Sequence, residues 1–462
     1  MKKFSAKRAL SLALILSLVL ALSGCGGTSE TPADTQGESN VEQSATQVED
    51  DGKIHLGVTA PFSGFNALMG QNLINGVYLA IDVEGETDRF EVHIEDTKVD
   101  PELAVTKLDS LKQKADCNLI IGSITGNEGE AQAVWAQENT DVLFMTGYSA
   151  PQSMTMQYAS FNDIRAGWTS DQVTFNFGEY VAKELGYKKV ICVGSDYSHP
   201  WGQAAGFIRG FLENGGEEVN RIWYPMENYE FSSIMVQLQD LAGDYEAVIL
   251  NDGGSVPVAF YKAWEQYGMS ELYPQLLGMT NVAESSILPQ MPESFVGVIS
   301  PSHYVDGADI PSNTEFIEAY QAAYGEAPDA VAMQGYDSVR LMIRALRENN
   351  WNDEDTKALS DSILAMQVND SPRGSYTFDE YGMAVQNVYI KNVILRDGAL
   401  TNEIIETYEN VSQFGPYDPD KYMTMPADSR DYPYGTRDEY LEDLRQYMGD
   451  EYVDGIIENG GW

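Results

Sequence analysis

Ile54-His55-Leu56-Gly57-Val58-Thr59-Ala60-Pro61-Phe62-Ser63-Gly64 is the stretch from which the rest of the chain can be read. Residues 54–59 read as a strand, and Pro-Phe-Ser-Gly reads as the loop that ends it. Apolar residues then recur at 73, 74, 77, 78 and 81, the spacing of a helix over 72–82. The same alternation continues outward. Residues 90–95 alternate as a strand does, 101–114 read as a helix with proline in its first turn, and 117–122 form a short apolar run ending in glycine. A helix at 128–139 and a strand at 141–145 follow. Strand alternating with helix predicts a parallel sheet covered by helices.

The pattern restarts near Ser170. Helices are predicted at 171–185, 203–213, 231–242 and 256–267, and strands at 189–193, 219–224, 247–250 and near 275–278. A crossing near 296–302 precedes helices at 313–324, 330–349 and 356–366, and residues 374–378 and 384–395 read as a closing pair of strands. No repeat of 20–50 residues is visible. Residues 401–462 are rich in Tyr, Asp, Pro and Gly, with one helical stretch near 437–448, and read as an appendage packed loosely on the core.

The first residues address the compartment. Lys2, Lys3, Lys7 and Arg8 precede a 14-residue apolar run, 9–22, that ends in Leu22-Ser23-Gly24-Cys25. A bilayer span needs about 20 apolar residues, so this run reads as a signal-peptide core. Leu-Ser-Gly-Cys resembles the bacterial lipobox, which implies cleavage before Cys25 and a diacylated thiol; the plainer alternative is a secretory signal with an incidental cysteine. Residues 26–52 hold almost nothing to bury and read as a flexible tether, with a typical span of about 25–30 Å. No later segment is long and apolar enough to suggest a transmembrane helix.

The 462 residues carry 71 acidic and 28 basic side chains, a formal charge of −43, and loss of the basic leader takes it to −47. Such a surface repels phosphate backbones, so no nucleic-acid partner is expected. Three cysteines exclude a disulfide-stapled scaffold, and Cys117 and Cys192, in different halves, read as buried free thiols. The four histidines form no His-Glu-x-x-His motif and no Cys/His cluster has ligand spacing, so no metal and no cofactor is expected. No Gly-x-Ser-x-Gly elbow supports an enzyme. Gly122-Ser-Ile-Thr-Gly126-Asn-Glu-Gly129 lacks the features of a P-loop. It reads equally as a cradle offering backbone N–H groups to an anion at a helix start and as a plain strand-to-helix turn.

The informative residues gather at predicted strand ends, where open α/β sheets bind ligands. They are 61–64, 123–127, 146–149, 196–202, 251–254 and 278–281, each with small residues and several with aromatics. Six such loops from two sheets could face one another across a cleft.

Taken in order, these motifs resemble the type I periplasmic solute-binding proteins of ABC importers, in the branch that binds branched-chain amino acids and amides. The likeness covers residues 53–395. It rests on the opening stretch with Gly70 and Asn75-Gly76, on Asp96, Asp100-Pro101 and Ala104-Val105, and on Ile121-Gly122, Ala150-Pro151 and Tyr197 through Trp201-Gly202. Ala332-x-x-x-Tyr336-Asp337-Ser338 and Phe378-Asp379-x-x-Gly382 complete it.

The resemblance implies two Rossmann-like lobes with parallel-sheet cores, joined by a three-segment hinge near 165–168, 297–302 and 370–376. The implied divisions are a signal peptide at 1–24, a lipidated tether at 25–52, a first lobe from 53–166 with 301–373, a second from 167–300 with 374–400, and the appendage. The implied ligand contacts are Met69, Gly126, Asn127, Gly147, Tyr148, Ser149, Tyr197, Trp201, Asp252 and Thr280. Several depart from the family pattern. Gly126 stands where a serine is frequent and keeps only a backbone donor, Tyr148 fills space normally open, and Ser149 keeps a hydroxyl. Trp201 replaces a tyrosine, and the acid that meets a ligand ammonium is missing at Thr280, leaving Glu284 or Asp252 as substitutes. Asp252 reads equally as a solvated turn residue, Trp168 as hinge packing, and Tyr304 as either core or cleft.

The implied function is capture of a small polar solute (amino acid, amide or small carboxylate) by hinge closure. A monomeric, lipid-anchored extracytoplasmic protein would present it to an ABC permease. The alternative is a binding module that signals to a membrane receptor without transport.

Overall fold

The computed structural model describes residues 52–64, 66–226 and 230–459. The signal-peptide and lipobox readings, Cys25 and almost all of the tether lie outside the described residues.

The first lobe is built from β1 (Ile54–Ala60), α1 (Ala67–Val83), β2 (Phe90–Asp96), α2 (Pro101–Lys114), β3 (Leu119–Gly122), α3 (Gly126–Glu138), β4 (Leu143–Thr146) and β5 (Asp163–Ile164). Its five strands pair in parallel in the order β2-β1-β3-β4-β5. Local signals set the helix starts. Asp100 caps α2 by accepting from the Glu102 and Leu103 N–H groups, with Pro101 where no N–H is needed. Thr125 and Glu128 form a reciprocal cap on α3.

The second lobe follows as α4 (Ser170–Lys183), β6 (Lys189–Ser195), α5 (Ser198–Glu213), β7 (Glu218–Tyr224), α6 (Ser232–Leu241), β8 (Ala247–Asn251), α7 (Val256–Gln266), β9 (Leu276–Gly278) and β10 (Ile299–Ser302). The chain then returns to the first lobe for α8 (Pro311–Tyr324), α9 (Ala330–Glu348) and α10 (Thr356–Leu364). There α9 packs closely on α1: a Cβ on Gly76 would lie 2.0 Å from the Ala332 carbonyl oxygen, so only glycine permits this approach.

The chain returns once more through β11 (Thr377–Phe378), β12 (Ala384–Arg396) and β13 (Ala399–Val411), then α11 (Pro419–Tyr422), α12 (Arg437–Met448) and α13 (Asp450–Asn459). The second sheet runs β11-β12-β10-β9-β8-β6-β7, with β13 also on β12. The strands from β7 to β10 are parallel, and β12 is antiparallel to β10, β11 and β13. Near the crossovers Arg165 bridges Met383, and Trp168, fully buried, stacks on His303 with ring centroids 5.3 Å apart.

Two expectations change. The tail is not loosely packed. Arg396 pairs with Ala399 around Asp397-Gly398, both at positive φ (55° and 81°), a two-residue hairpin turn that carries the chain straight into β13. Beyond it Phe414, Tyr417, Tyr422, Tyr440 and Leu444 are buried in the same apolar cluster as Phe207 and Phe211 of α5. In addition, α5 starts at Ser198, not near 203, because Pro200 falls in its first turn, where a missing N–H costs nothing.

Candidate functional site

The six strand-end loops converge between the lobes. Each contributes, directly or through the first turn of the following helix, to a cavity of about 30 Å3. From the first lobe come Asn66 and Met69 after β1, Thr125 and Gly126 after β3, and Tyr148 after β4. From the second come Tyr197 and His199 after β6, Asp252, Gly253 and Gly254 after β8, and Asn281 after β9. A larger cavity of about 90 Å3 adjoins it, sharing Met69, Tyr148, Gly254 and Asn281.

Helix starts dominate the electrostatics. The first residues of α1, α3 and α5, and the glycines just before α7, all line the smaller cavity. A helix start offers unpaired N–H groups and about half a positive charge, so this geometry accepts an anionic or strongly polar ligand group without a basic side chain. Gly126 permits a close approach of the lobes. A Cβ there would lie 2.7 Å from Ser198 Oγ of the second lobe.

Among the described residues, the following hydrogen bonds cross the cleft. Tyr148 Oη donates to Asn281 Oδ1 at 3.0 Å, Ser198 Oγ to Asn127 Oδ1 at 2.7 Å, and Ser286 Oγ to Asp329 Oδ2 at 3.1 Å. The Ala330 N–H donates to Glu284 Oε2 at 3.4 Å. Behind this wall His199 is wedged between partners: its Nδ1 is 3.2 Å from Ser170 Oγ, and its Nε2 is 3.0 Å from Gln203 Nε2 and 3.2 Å from Asn281 Nδ2. Both amide nitrogens are donors, so Nε2 accepts and the proton sits on Nδ1. Burial pushes this ring down to about 4, so it is neutral at physiological pH. Asp252 accepts from Ser195 Oγ, from Tyr224 Oη at 2.7 Å and from the Gly253 N–H at 2.8 Å, while burial raises its carboxyl.

Of the residues singled out in the sequence, Met69, Gly126, Tyr148, Tyr197 and Asp252 line the cavity. Asn127 stands at its edge, bonded to Ser198. Gly147, Ser149, Trp201 and Thr280 line neither cavity. Ser149 Oγ donates to the Thr125 carbonyl at 2.9 Å and so braces the α3 start, and Gly147 donates its N–H to the Gly122 carbonyl. The Trp201 indole donates to Asp196 Oδ1 at 3.1 Å, an acid also held by Arg430 of the tail. Thr280 is fully buried. The lining residues absent from that set are chiefly Asn66, His199, Gly253, Gly254 and Asn281, and all sit in or next to the strand-end loops. Among the described residues no cluster of His, Cys, Asp and Glu could hold a metal ion. No described helix is long and apolar enough to cross a membrane.

The periplasmic binding protein family matches residues 53–399. A Leu/Ile/Val-binding protein homologue from Brucella melitensis is 27% identical over 365 residues, covering 77% of this chain and 92% of the relative. A solved ABC-transporter solute-binding protein from Rhodopseudomonas palustris, in complex with 3,4-dihydroxybenzoic acid, superposes with a TM-score of 0.73 at 25% identity, covering 79% of this chain and 99% of that one. A leucine-binding protein from Thermotoga maritima superposes at 0.67 with 21% identity, covering 77% and 99%. The fold is the type I arrangement of two parallel-sheet lobes. The chain belongs to the periplasmic binding protein family, a solute-binding and not a catalytic family that works outside the cytoplasm with membrane permeases.

Proposed function

We propose that this chain is the lipid-anchored solute-binding component of an ABC importer, attached through Cys25, and that it captures a small polar solute by closing its two lobes. The observation that carries this reading is the cavity itself: loops from both sheets line it, and Tyr148–Asn281 and Asn127–Ser198 cross it. A solute touching both walls stabilises the closed form over the open one. Shifting the population from 1:99 to 99:1 takes about 5.5 kcal/mol of differential affinity. A few hydrogen bonds to helix starts, several of them charge-assisted, supply energies of that order.

In this reading Met69, Gly126, Tyr148, Tyr197 and Asp252 touch the solute, Asn127 seals the edge, and Gly147 and Ser149 hold the first-lobe wall in place. The long acidic tether lets the folded part reach a permease while it stays on the membrane. The test is a thermal-shift screen of the purified chain against small amino acids, amides and carboxylates, because a ligand that binds only the folded form raises the melting temperature. A hit that also reduces the radius of gyration in solution scattering supports capture by closure. Binding without compaction, or no hit across all three solute classes, counts against it.

A further inference from the structure

The charges around the cleft are one-sided. The larger cavity has a mostly apolar wall, including Leu68, Ile287 and Val331, yet two carboxylates open onto it: Glu284 from the second lobe and Asp329 from the first. Asp252 lies on the adjoining smaller cavity. No Lys or Arg stands among the described lining residues of either.

The two acids differ in how well they are satisfied. Asp329 Oδ1 caps α9 by accepting from the Val331 and Ala332 N–H groups, both at 3.0 Å. Its Oδ2 takes Asn72 Nδ2 at 2.6 Å and Ser286 Oγ at 3.1 Å. Glu284 Oε1, by contrast, is buried without a hydrogen-bond partner. Its nearest charge is Lys391 Nζ at 3.5 Å, and that ammonium donates to the Ala283 carbonyl at 3.1 Å. One buried base thus stands behind three acids that face the cleft, and a desolvated carboxylate oxygen without a donor is costly to keep. Burial raises the Glu284 carboxyl, Lys391 opposes this, and Asp329 adds to the rise. A cation seated between them would favour the charged form of both.

Resting on the reading of the cleft as the solute site, we infer that the solute is an ω-amino acid. Its carboxylate lies at the starts of α3 and α5, its apolar spacer passes Met69 and Tyr148, and its ammonium lies between Glu284 and Asp329. An α-amino acid carries both charges on one carbon and cannot reach both ends. A plain aromatic acid leaves Glu284 without its donor.

Calorimetric titration of the purified chain with 5-aminopentanoate, pentanoate, leucine and 4-hydroxybenzoate tests this. We expect 5-aminopentanoate to bind at least tenfold more tightly than pentanoate, which lacks the amine. Asp329→Asn keeps a side chain able to cap α9, and Glu284→Gln keeps shape; each should weaken 5-aminopentanoate at least tenfold more than it weakens pentanoate. Melting curves establish that each variant is folded, and Asp329→Asn carries the test if the glutamine variant is not. Equal affinities for 5-aminopentanoate and pentanoate, or a folded Asp329→Asn with unaltered affinity, would overturn the assignment. Binding of leucine or 4-hydroxybenzoate with 5-aminopentanoate silent would overturn the solute class while leaving the cleft as a solute site. Silence from all four overturns the class, and the wider screen then decides separately whether the cleft binds any solute.

Discussion

The Tyr148 hydroxyl, at the end of β4 in the first lobe, donates a 3.0 Å hydrogen bond to Asn281 Oδ1, in the loop after β9 of the second. The same Asn281 offers its amide to His199 Nε2 at 3.2 Å, so one asparagine couples the opposite wall to the buried imidazole. Tyr148→Phe keeps the ring and its packing and removes only this crossing bond. A net hydrogen bond is worth about 1 kcal/mol, so solute affinity should fall about fivefold by calorimetry with little change in melting temperature. Unchanged affinity would show that the bond does not contribute to the closed form.

Gly126→Ala places a methyl 2.7 Å from Ser198 Oγ and 3.2 Å from Pro151 Cγ. The backbone at 126 is helical and accepts alanine, and within the first lobe the methyl crowds Pro151 alone, so the open form should stay folded. The expected outcome is a loss of affinity of more than tenfold, with no solute-induced compaction in solution scattering. Compaction equal to that of the parent would sink this role for Gly126.

The tail makes a prediction about stability. Leu444 is fully buried in the cluster shared with α5. Leu444→Ala should cost about 2–5 kcal/mol in denaturant unfolding, the range for large-to-small core substitutions. A loosely attached tail would give a cost near zero.

His199 has a sign that can be worked out. Its folded value lies near 4 and its unfolded value near 6.5, so the unfolded chain binds more protons between those limits. The stability it contributes is fully present above pH 6.5 and is lost as pH falls towards 4, a total of order 3 kcal/mol. Buried carboxyls with raised values, Asp252 and Glu284 among them, contribute in the opposite direction. The difference between the parent and His199→Asn isolates the ring: the parent should lose stability faster on acidification. Parallel curves would contradict a neutral buried imidazole.

Cys117 and Cys192 are buried, and burial pushes both thiols up to about 12. Neither should react with a thiol reagent at pH 8 in the native state. In chain expressed without acylation Cys25 alone should label, and all three cysteines should label on denaturation. A native count above one would show that a core thiol opens.

The sequence made the two-lobed α/β plan legible because its parallel strands are short apolar runs and its helices carry a clear period. Strand ends then pointed to the candidate cleft, since parallel sheets expose their binding loops there. What it left unread was pairing at a distance. Nothing local to Trp201 says that its indole turns to Asp196, beside Arg430 of the tail. Nothing local to Asp329 says that Ser286 meets it across the cleft, or that Glu284 accepts from the neighbouring Ala330 N–H. Asp397-Gly398 was a readable hairpin signal, but the polar, alternating residues after it conceal a strand until β12 is placed beside them.

The tail also bonds to the first lobe. Gln152 Nε2 donates to the Tyr422 hydroxyl, and Thr155 Oγ1 donates to Gln413 Oε1 at 2.7 Å. Gln152 and Thr155 belong to a short turn fastened to α3 through Ser153 and Glu130. Any motion that parts the tail from this turn must break both bonds. The last sixty residues are therefore tied to both lobes at once, to the first through this turn and to the second through the cluster shared with α5.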